Sequence, residues 1–445
     1  MTRLRVAHLR LMVPFVVLGW LATSAIDDNS FLWHVRAGTE QLSAGRVLTV
    51  DPFSLTHNGV AWRTQSWLAE LGYGWLENVT GGIGWVPAMK LITMVVTVAL
   101  LGMVLYKVVG GHHWFTVAGL LMLIWQGSPF SVSRPALFGF LLLAATVALT
   151  HSARRPLWLL PPLFWLWASI HGTFPVGLGL LFLDALRRRS RRQLVAAVVA
   201  GFATALTAHG LGAWWIVLQF LQNRGALQLI SEWHPPAFAN PFIVPLLLAI
   251  VGLLVAGVSG RLGRRDLWVV VPFLVFGVMA ERNVWPAFIV LLPFAMLALP
   301  PVERVLQTRR EAYLLNWLIA GVLVLVAVIP LLRPIGLRED RFPSREAVAA
   351  LGPGALFNGS AVGGYLIYAD WPEHLVFIDD RAELYGQEGL QRFHDVKSGV
   401  GVEETFAELG ITQVLITEDW PLVGYLELLG WEYRYRDENF VVMTE

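Results

Sequence analysis

The sequence predicts an all-helical membrane protein that ends in a small soluble α/β domain. Of its 445 residues, 56% are hydrophobic and only 15% are charged, whereas soluble proteins carry roughly a quarter charged residues. About eleven apolar segments follow one another between Leu11 and Leu332. We therefore expect a multi-span membrane domain over residues 1–333, with a long first outer loop at 27–82, and a separate α/β domain over residues 334–445.

Each candidate span is an apolar run near the twenty or so residues that a helix needs to cross the hydrocarbon of a bilayer. The spans are 11–27, 84–106, 113–129, 135–151, 156–170, 172–186, 193–209, 242–260, 267–281, 284–300 and 314–332. The fifth and sixth are short and meet in a tight turn, so a re-entrant pair is the competing interpretation. A signal peptide in place of the first span is less favoured, because no convincing small-residue cleavage site precedes Asp27.

Basic residues fall in every second loop, which predicts the orientation of the chain. With the N-terminus in the cytoplasm, six successive cytoplasmic segments contain Arg3, Arg5 and Arg10; Lys107; Arg154 and Arg155; Arg187, Arg188, Arg189, Arg191 and Arg192; Arg261, Arg264 and Arg265; and Arg304, Arg309 and Arg310. This is the positive-inside pattern of multi-pass proteins. An odd number of spans then places the C-terminal domain on the extracytoplasmic side of the cell membrane.

Composition also excludes several classes of site and partner. The chain has no cysteine, which excludes disulfides, thiolate metal sites and a cysteine nucleophile. A net charge of +1 gives no overall field that would attract nucleic acid. Few ionisable residues lie in mid-span, and Asp184 lies close to a cytoplasmic arginine cluster. This argues against an ion pathway, although a lipid or solute transporter stays as an alternative.

Acids, histidines and isolated arginines collect in the outer loops. Asp27 and Asp28 directly follow the first span, where a carboxylate is costly to hold unless a pocket or a partner uses it. The alternative is that they end the helix in water. Residues 31–42 alternate at a near-helical period and suit a helix lying in the interface, with Trp33 as its anchor.

Four more residues belong to this outer set. They are Arg134, His171, Glu232 and Arg282. Singly, each has a structural explanation, since an arginine can snorkel to lipid headgroups and a histidine can satisfy the carbonyls of a turn. Jointly, they suit a lipid-linked phosphosugar, because arginine binds phosphate through charge-assisted hydrogen bonds and a carboxylate can deprotonate a hydroxyl.

The order of short motifs along the chain resembles that of GT-C glycosyltransferases, and in particular a broad group of prokaryotic GT-C-like membrane proteins. The matching residues are Asp28, Trp33, His34, Gly38, Asp51, Pro52, Phe53, Ser54, Thr56, Trp62, Trp67, Leu68, Glu70, Arg134, Pro135, Trp167, His171, Gly172, Glu232, Trp233, Pro235, Arg282, 363–366 and 377–386. The resemblance spans nearly the whole chain. It implies a glycosyltransferase that uses a polyprenyl-phosphate sugar as donor and a glycan or protein as acceptor.

The resemblance implies the role of the first acid, and the charges of the outer set predict roles for the other residues. Asp28 is the candidate catalytic base, with Asp27 as second choice, and Arg134 and Arg282 are expected to hold the donor phosphate. His34 and His171 are expected to orient groups or to assist the leaving phosphate. The remaining substrate-binding candidates are Glu70, Gln65 and Glu232.

The chain departs from the family pattern at three positions. Ser30 replaces the second acid of the first motif, Gln65 replaces a histidine, and Ser66 replaces an acid that often follows it. Either one acid suffices, or Asp27 replaces the missing one, or the chain is a non-catalytic assembly partner. The same losses leave a poor signature for a divalent metal. A divalent metal therefore stays a weakly supported alternative, no metal ligands are assigned, and the lipid-linked donor is the expected ligand.

The C-terminal domain alternates strand-like and helix-like segments. Strands are predicted at 376–378, 413–416 and 440–443, and helices at 344–350 and 403–409. The glycine-rich stretch 359–364 is only a weak signal for a phosphate loop. Asp379, Asp380 and Arg381 follow a predicted strand, so they either face a binding crevice or form a salt-bridged loop.

Overall fold

The computed structural model describes residues 4–154, 156–222, 225, 230–300, 312–332 and 336–445. The chain is mostly helical and forms two compact units. The first comprises Met1–Ser24, Gly84–Leu211 and Ser231–Ile335, and the second comprises Ala25–Ile83, Gly212–Ile230 and Gly336–Glu445. The predicted first outer loop thus groups with the C-terminal segment, whereas the sequence analysis assigned it to the domain at 1–333.

The helices have the following bounds in chain order. They are α1 (Val6–Ala22), α2 (Asn29–Ala44), α3 (Trp67–Thr80), α4 (Val86–Val108), α5 (His113–Gly127), α6 (Ala136–His151), α7 (Leu160–Ile170), α8 (Phe174–Arg188), α9 (Arg191–Ala203), α10 (Gly212–Gln222), α11 (Val244–Val258), α12 (Leu267–Met279), α13 (Glu281–Ala295), α14 (Tyr313–Val328), α15 (Arg345–Ala349), α16 (Ser360–Ala369), α17 (Ala382–Lys397), α18 (Val402–Leu409) and α19 (Pro421–Leu428). Gly386, with φ of 63°, interrupts α17.

Four described helices, and not about eleven, are long and apolar enough to cross a membrane. They are Ile83–Val108, Pro241–Val258, Glu281–Ala298 and Tyr313–Leu332, and they correspond to the predicted spans at 84–106, 242–260, 284–300 and 314–332. Other predicted spans form shorter apolar helices at Val6–Ala22, Ala136–His151, Leu157–Ile170 and Leu267–Met279. The prediction of about eleven was wrong because apolar composition does not set helix length. The predicted spans at 156–170 and 172–186, for example, form α7 and α8, which have only 11 and 15 residues.

The orientation of the chain stays a prediction. Five of the basic residues that predict this orientation lie outside the described residues: Arg3, Arg155, Arg304, Arg309 and Arg310. In the cluster at the end of α8, Arg187 and Arg188 both bond to the buried carboxylate of Asp184. Arg187 also donates to Asp266 at 2.8 Å. This cluster therefore ties α8 to the start of α12, in addition to its predicted topological role.

The second unit is built on a four-stranded mixed sheet in the order β1-β2-β4-β3. The strands are β1 (Ala355–Asn358), β2 (Ile411–Thr417), β3 (Glu432–Arg436) and β4 (Phe440–Thr444). β1 runs parallel to β2, whereas β4 is antiparallel to both β2 and β3. The predicted strands at 413–416 and 440–443 are confirmed as β2 and β4. The predicted helices at 344–350 and 403–409 are confirmed as α15 and α18.

The strand predicted at 376–378 does not belong to the sheet. Val376 forms a single bridge to Ser54, and the side chain of Asn358 satisfies the next two backbone groups. Its carbonyl accepts from the Phe377 amide at 2.7 Å, and its amide donates to the Ile378 carbonyl at 2.8 Å. The prediction was wrong because the apolar run is extended, but a side chain takes the place of a neighbouring strand.

The core of the second unit explains why its distant segments fold together. Trp33 and Ala37 of α2, with Phe53 and Trp62 of the following loop, pack into one cluster with side chains of the sheet and of α16. The partners of these residues include Leu356, Val362, Leu366, Val376, Leu415 and Val442. Burial of this apolar surface holds residues 25–83 against the C-terminal segment.

Candidate functional site

Asp28 and Asp27 precede α2 but differ in their surroundings. Asp28 is 4% exposed. Asp27 is about half exposed, with its carboxylate 3.6 Å from the guanidinium of Arg338. The neighbouring phenol of Tyr73 is buried, and burial together with the Asp28 and Glu70 carboxylates raises its pKa well above 10. Tyr73 therefore stays neutral, and Asp28 is the more enclosed of the two candidate acids.

His34 is held by Glu70 of α3. The Nδ1 atom of His34 lies 2.8 Å from the Oε1 atom of Glu70, and both residues are buried. Gln41 donates to Oε2 at 2.7 Å, and the hydroxyl of Thr64 also donates to this carboxylate. Because an ionised carboxylate only accepts, Nδ1 of His34 is the donor in this bond.

Two glycines allow α2 and α3 to approach this closely. A Cβ atom at Gly38 would lie 1.8 Å from the carbonyl oxygen of Glu70, and one at Gly74 would lie 2.3 Å from the carbonyl carbon of Gly38. Both positions therefore exclude a side chain. The match of Gly38 to the family pattern thus has a packing reason.

The three positions that depart from the family pattern lie near these groups. Ser30 and Ser66 are buried and Gln65 is half-buried. The backbone amide of Ser66 donates to the hydroxyl of Thr64 at 3.3 Å. Within the described part of the chain, no group of three or more histidine, aspartate and glutamate side chains is arranged to hold a metal ion.

Arg381 lies at the centre of a buried ion-pair network. Its guanidinium donates to Asp51 at 2.6 Å and to Asp379 at 2.6 and 2.9 Å, and all three side chains are fully buried. The rings of Trp33, Phe53 and Trp62 surround the guanidinium at 4.7–5.7 Å. Although burial alone lowers it, the carboxylate of Asp379 holds the pKa of Arg381 well above its usual value.

Further hydrogen bonds complete the network. Asp51 accepts from the backbone amides of Phe53 and Ser54, which makes the motif at 51–54 an Asx-type turn. Tyr385 donates to Asp379 at 2.8 Å. The exposed Asp380 accepts from the indole of Trp33 at 2.9 Å. The segment 379–381 therefore has the contacts of a salt-bridged loop that joins the C-terminal segment to α2.

In the first unit, three of the predicted residues come together. Arg134 precedes α6, Glu232 lies in the short turn Ser231–Trp233, and Arg282 lies in the first turn of α13. The guanidinium of Arg134 is 3.9 Å from the carboxylate of Glu232. Both side chains act electrostatically on Arg282.

The loop at 231–240 is fixed by neighbours of these residues. Arg282 stacks on the ring of Trp233 at 4.5 Å. Glu281 donates its backbone amide to the carbonyl of His234 at 2.9 Å and accepts from the side chain of Asn240 at 3.1 Å. The start of α13 thus holds the segment that carries Glu232 beside Arg134.

His171 lies in the turn between α7 and α8. Its Nδ1 accepts from the backbone amide of Thr173 at 3.3 Å and lies 3.0 Å from the hydroxyl of the same residue. That hydroxyl accepts from the indole of Trp167 at 3.0 Å. These contacts favour the structural explanation of His171, in which the ring satisfies polar groups of its own turn.

Several residues that build these sites were not predicted as site residues. Asp51, Tyr385, Gln41 and Asn29 have side chains bonded to predicted candidates or to their neighbours. Asp51 belongs to the motif at 51–54 that matches the family pattern, and an aspartate followed by Pro-Phe-Ser is a signal for a turn. Tyr385 lies in the matching stretch 377–386, six residues from Asp379. Gln41 and Asn29 carry no local signal, because their partners lie 29 and 336 residues away.

No family model matches the chain, and no curated protein matches it in sequence. The fold, however, matches solved structures. The archaeal oligosaccharyltransferase AglB from Archaeoglobus fulgidus, in complex with an inhibitory peptide and a dolichol-phosphate, superimposes with a TM-score of 0.56 at 11% identity. The match covers 92% of this chain and 69% of that chain.

Two further structures of the Archaeoglobus fulgidus oligosaccharyltransferase match over the same shares of the two chains. The apo form has a TM-score of 0.57 at 9% identity, and a form tethered with an acceptor peptide containing the NVT sequon has 0.52 at 11% identity. This chain has an AglB-like fold. The likeness is one of fold, and four helices of the described residues are by length and composition apolar enough to cross a membrane.

Proposed function

We propose that this chain is a membrane glycosyltransferase that moves a sugar from a polyprenyl-phosphate donor to an extracytoplasmic acceptor. The observation that carries the proposal is the enclosed carboxylate of Asp28 at the start of α2, in a chain with an AglB-like fold. The AglB structures hold a dolichol-phosphate and peptides. These ligands support a lipid-linked donor and an acceptor for this chain as well.

In this mechanism Asp28 acts as the general base. Its carboxylate takes the proton of the acceptor hydroxyl while the hydroxyl oxygen attacks the anomeric carbon of the sugar. The bond from that carbon to the donor phosphate breaks, and the polyprenyl phosphate leaves with the electron pair. Attack from the face opposite the leaving group inverts the configuration at the anomeric carbon.

Arg134 and Arg282 are proposed to bind the donor phosphate. Each guanidinium offers several donors in a planar fork, which suits phosphate oxygens, and Glu232 orients Arg134. In the second unit, His34 is proposed to hold a proton or a hydrogen bond at its Nε2 atom, with Glu70 fixing the ring. Gln65 is proposed as a further substrate contact, and His171 is proposed to shape the turn between α7 and α8. Asp379, Asp380 and Arg381 are proposed to hold the loop at 51–54 and α2 against the C-terminal segment.

The test compares two neighbouring carboxylates. Purified Asp28→Asn should fold normally but lose transfer from a panel of labelled polyprenyl-phosphate sugars by at least about a hundredfold. Asp27→Asn serves as the matched control. The carboxylate of Asp27 is about half exposed and pairs with Arg338 at 3.6 Å, so this variant should retain most of the activity. The measurement is the amount of label moved from the lipid to water-soluble product.

Full transfer by Asp28→Asn would refute the proposed role of this residue. The second candidate function is a non-catalytic assembly partner, which is favoured by Ser30 at the position of the second acid. That function would be supported if the wild-type protein bound the donor lipid but transferred no sugar from any member of the panel.

A further inference from the structure

The side chain of Asn29, next to Asp28, is bonded into the backbone of α16. Its amide nitrogen donates to the carbonyl of Ser360 at 3.0 Å, and its amide oxygen accepts from the backbone amide of Tyr365 at 3.0 Å. One side chain at the first position of α2 thus bonds two backbone groups of a helix that lies more than 330 residues further along the chain. A side chain with both a donor and an acceptor is needed for this pair of bonds.

Gly364 makes the contact possible. A Cβ atom at this position would lie 2.2 Å from the carbonyl oxygen of Asn29 and 2.9 Å from its side-chain oxygen. Only glycine fits at such a distance. Gly363 is tight for a different reason, since a Cβ atom there would meet the carbonyl oxygen of Ile378 at 2.2 Å. The two adjacent glycines therefore serve two separate contacts of α16.

A second contact holds α2 two turns further along, on the same face of the helix. Arg36 donates to the carbonyls of Ile367 at 3.3 Å and Tyr368 at 2.9 Å, in the last turn of α16. A cation is favourable there because the carbonyls at a helix C-terminus carry partial negative charge. Two points of attachment fix both the position and the direction of α2.

We propose that α16 is the positioning element for Asp28, and that Asn29 and Gly364 are its positioning residues. Asp28 has an extended backbone and lies one peptide bond before Asn29, so a shift of Asn29 moves the Asp28 carboxylate. A displacement of about 1 Å at a reacting group lowers rates by about a hundredfold. The inference rests on the proposed function of Asp28 as the base, and it gives the C-terminal segment a direct part in that function.

The first test compares two helical glycines. Gly364→Ala should lower kcat by about 10- to 100-fold, with the KM for the donor within about twofold of the wild type, because the phosphate contacts stay. Gly424→Ala in α19 is the matched control, since no described atom lies within 4 Å of a Cβ built there. Its kcat and KM should equal those of the wild type.

A second variant covers the case in which Gly364→Ala does not fold. Asn29→Ala removes both hydrogen bonds without adding an atom, and it should lower kcat by about tenfold. Hydrogen exchange gives a readout besides activity. Amides of residues 33–36, which donate to the carbonyls of the first turn of α2, should exchange at least about tenfold faster in either variant than in the wild type or in Gly424→Ala.

The outcomes separate this inference from the proposed function. Unchanged kcat and unchanged exchange at residues 33–36 in folded Asn29→Ala would overturn the positioning role, even if Asp28→Asn is inactive. A loss of activity explained wholly by a smaller folded fraction would overturn it as well. Full activity of Asp28→Asn would instead remove the proposed function, whereas the exchange measurement would still report whether α16 orders the start of α2.

Discussion

Arg381 carries its charge at a position fully excluded from water, between the carboxylates of Asp51 and Asp379. Removing one member of such a network leaves an uncompensated buried charge, which costs far more than loss of an exposed ion pair. The hydrogen bonds from Tyr385 and from the backbone at 53–54 satisfy the remaining oxygen atoms. The network is therefore complete only when residues 51–54 and residues 379–385 are folded together.

Arg381→Ala should lower the free energy of unfolding by about 3–5 kcal/mol, because both carboxylates would stay buried without their partner. Arg392→Ala is the matched control. Arg392 pairs with Glu408 at 2.9 Å, but both side chains are about half exposed, so its loss should cost less than about 1 kcal/mol. Denaturant unfolding of both variants in detergent measures the difference, and equal costs would contradict the structural role of the network.

At the residue scale, the sequence predicts which residues carry chemistry better than which residues they contact. The candidates Asp28, His34 and Glu70 all lie in the second unit. The short motifs of the predicted first outer loop were enough to identify them. Asp51 and Arg381, in contrast, are 330 residues apart. No periodicity or local motif reports a contact over that separation, so the sequence predicts a salt-bridged loop at 379–381 as one alternative but does not identify Asp51 as its partner.

At the scale of elements, α2 is the scaffold of the second unit. It packs on α3 through Gly38 and Gly74, and it bonds to α16 through Asn29 and Arg36. Its own sequence predicts a helix over 31–42, and the helix observed is Asn29–Ala44. Tertiary contacts rather than intrinsic propensity hold a helix of this kind, because it contains Gly38 in its interior.

Gly38→Ala should destabilise the protein by about 1–3 kcal/mol, because the added methyl group would overlap the backbone of α3. Gly72→Ala in α3 is the control, since a Cβ built there has no described atom within 4 Å. It should be neutral or stabilise by up to about 1 kcal/mol through helix propensity. Thermal unfolding of the two variants tests the close approach, and a stable Gly38→Ala would contradict it.

Strands and helices of the C-terminal segment show where sequence patterns succeed and fail. β2 and β4 have continuous apolar runs and were predicted within about one or two residues. β3 has the sequence Glu-Tyr-Arg-Tyr-Arg and gave no apolar signal. The helix α16 was not predicted, and its start was described only as a glycine-rich stretch. Gly363 and Gly364 are required by packing against Ile378 and Asn29, and no local sequence pattern includes those two residues.

At the scale of the whole molecule, each compact unit is assembled from segments far apart in the chain. A boundary drawn between apolar and soluble composition, at 333/334, cannot report that residues 25–83 share a core with the sheet. Composition identifies the kind of environment a segment prefers. It does not identify which segments share that environment, which is a property of the three-dimensional fold.

The absence of cysteine from the sequence makes the predicted orientation directly testable. Glu438→Cys and Arg264→Cys each introduce a single thiol at an exposed position. If the positive-inside rule holds, a membrane-impermeant maleimide should label Glu438→Cys in intact cells and label Arg264→Cys only after the membrane is opened. The reverse pattern would invert the orientation, and labelling of both in intact cells would contradict the assignment of sides.

The joining of Ala25–Ile83 with Gly336–Glu445 in one unit also has a consequence for biosynthesis. Roughly 250 residues must be translated after the early segment before its partners exist, which takes about 12–50 s at typical elongation rates. During that interval α2 lacks α16 and the sheet, and its apolar face has nothing from the late segment to cover it. A ribosome stalled before the last hundred or so residues would therefore leave a nascent chain that needs a chaperone.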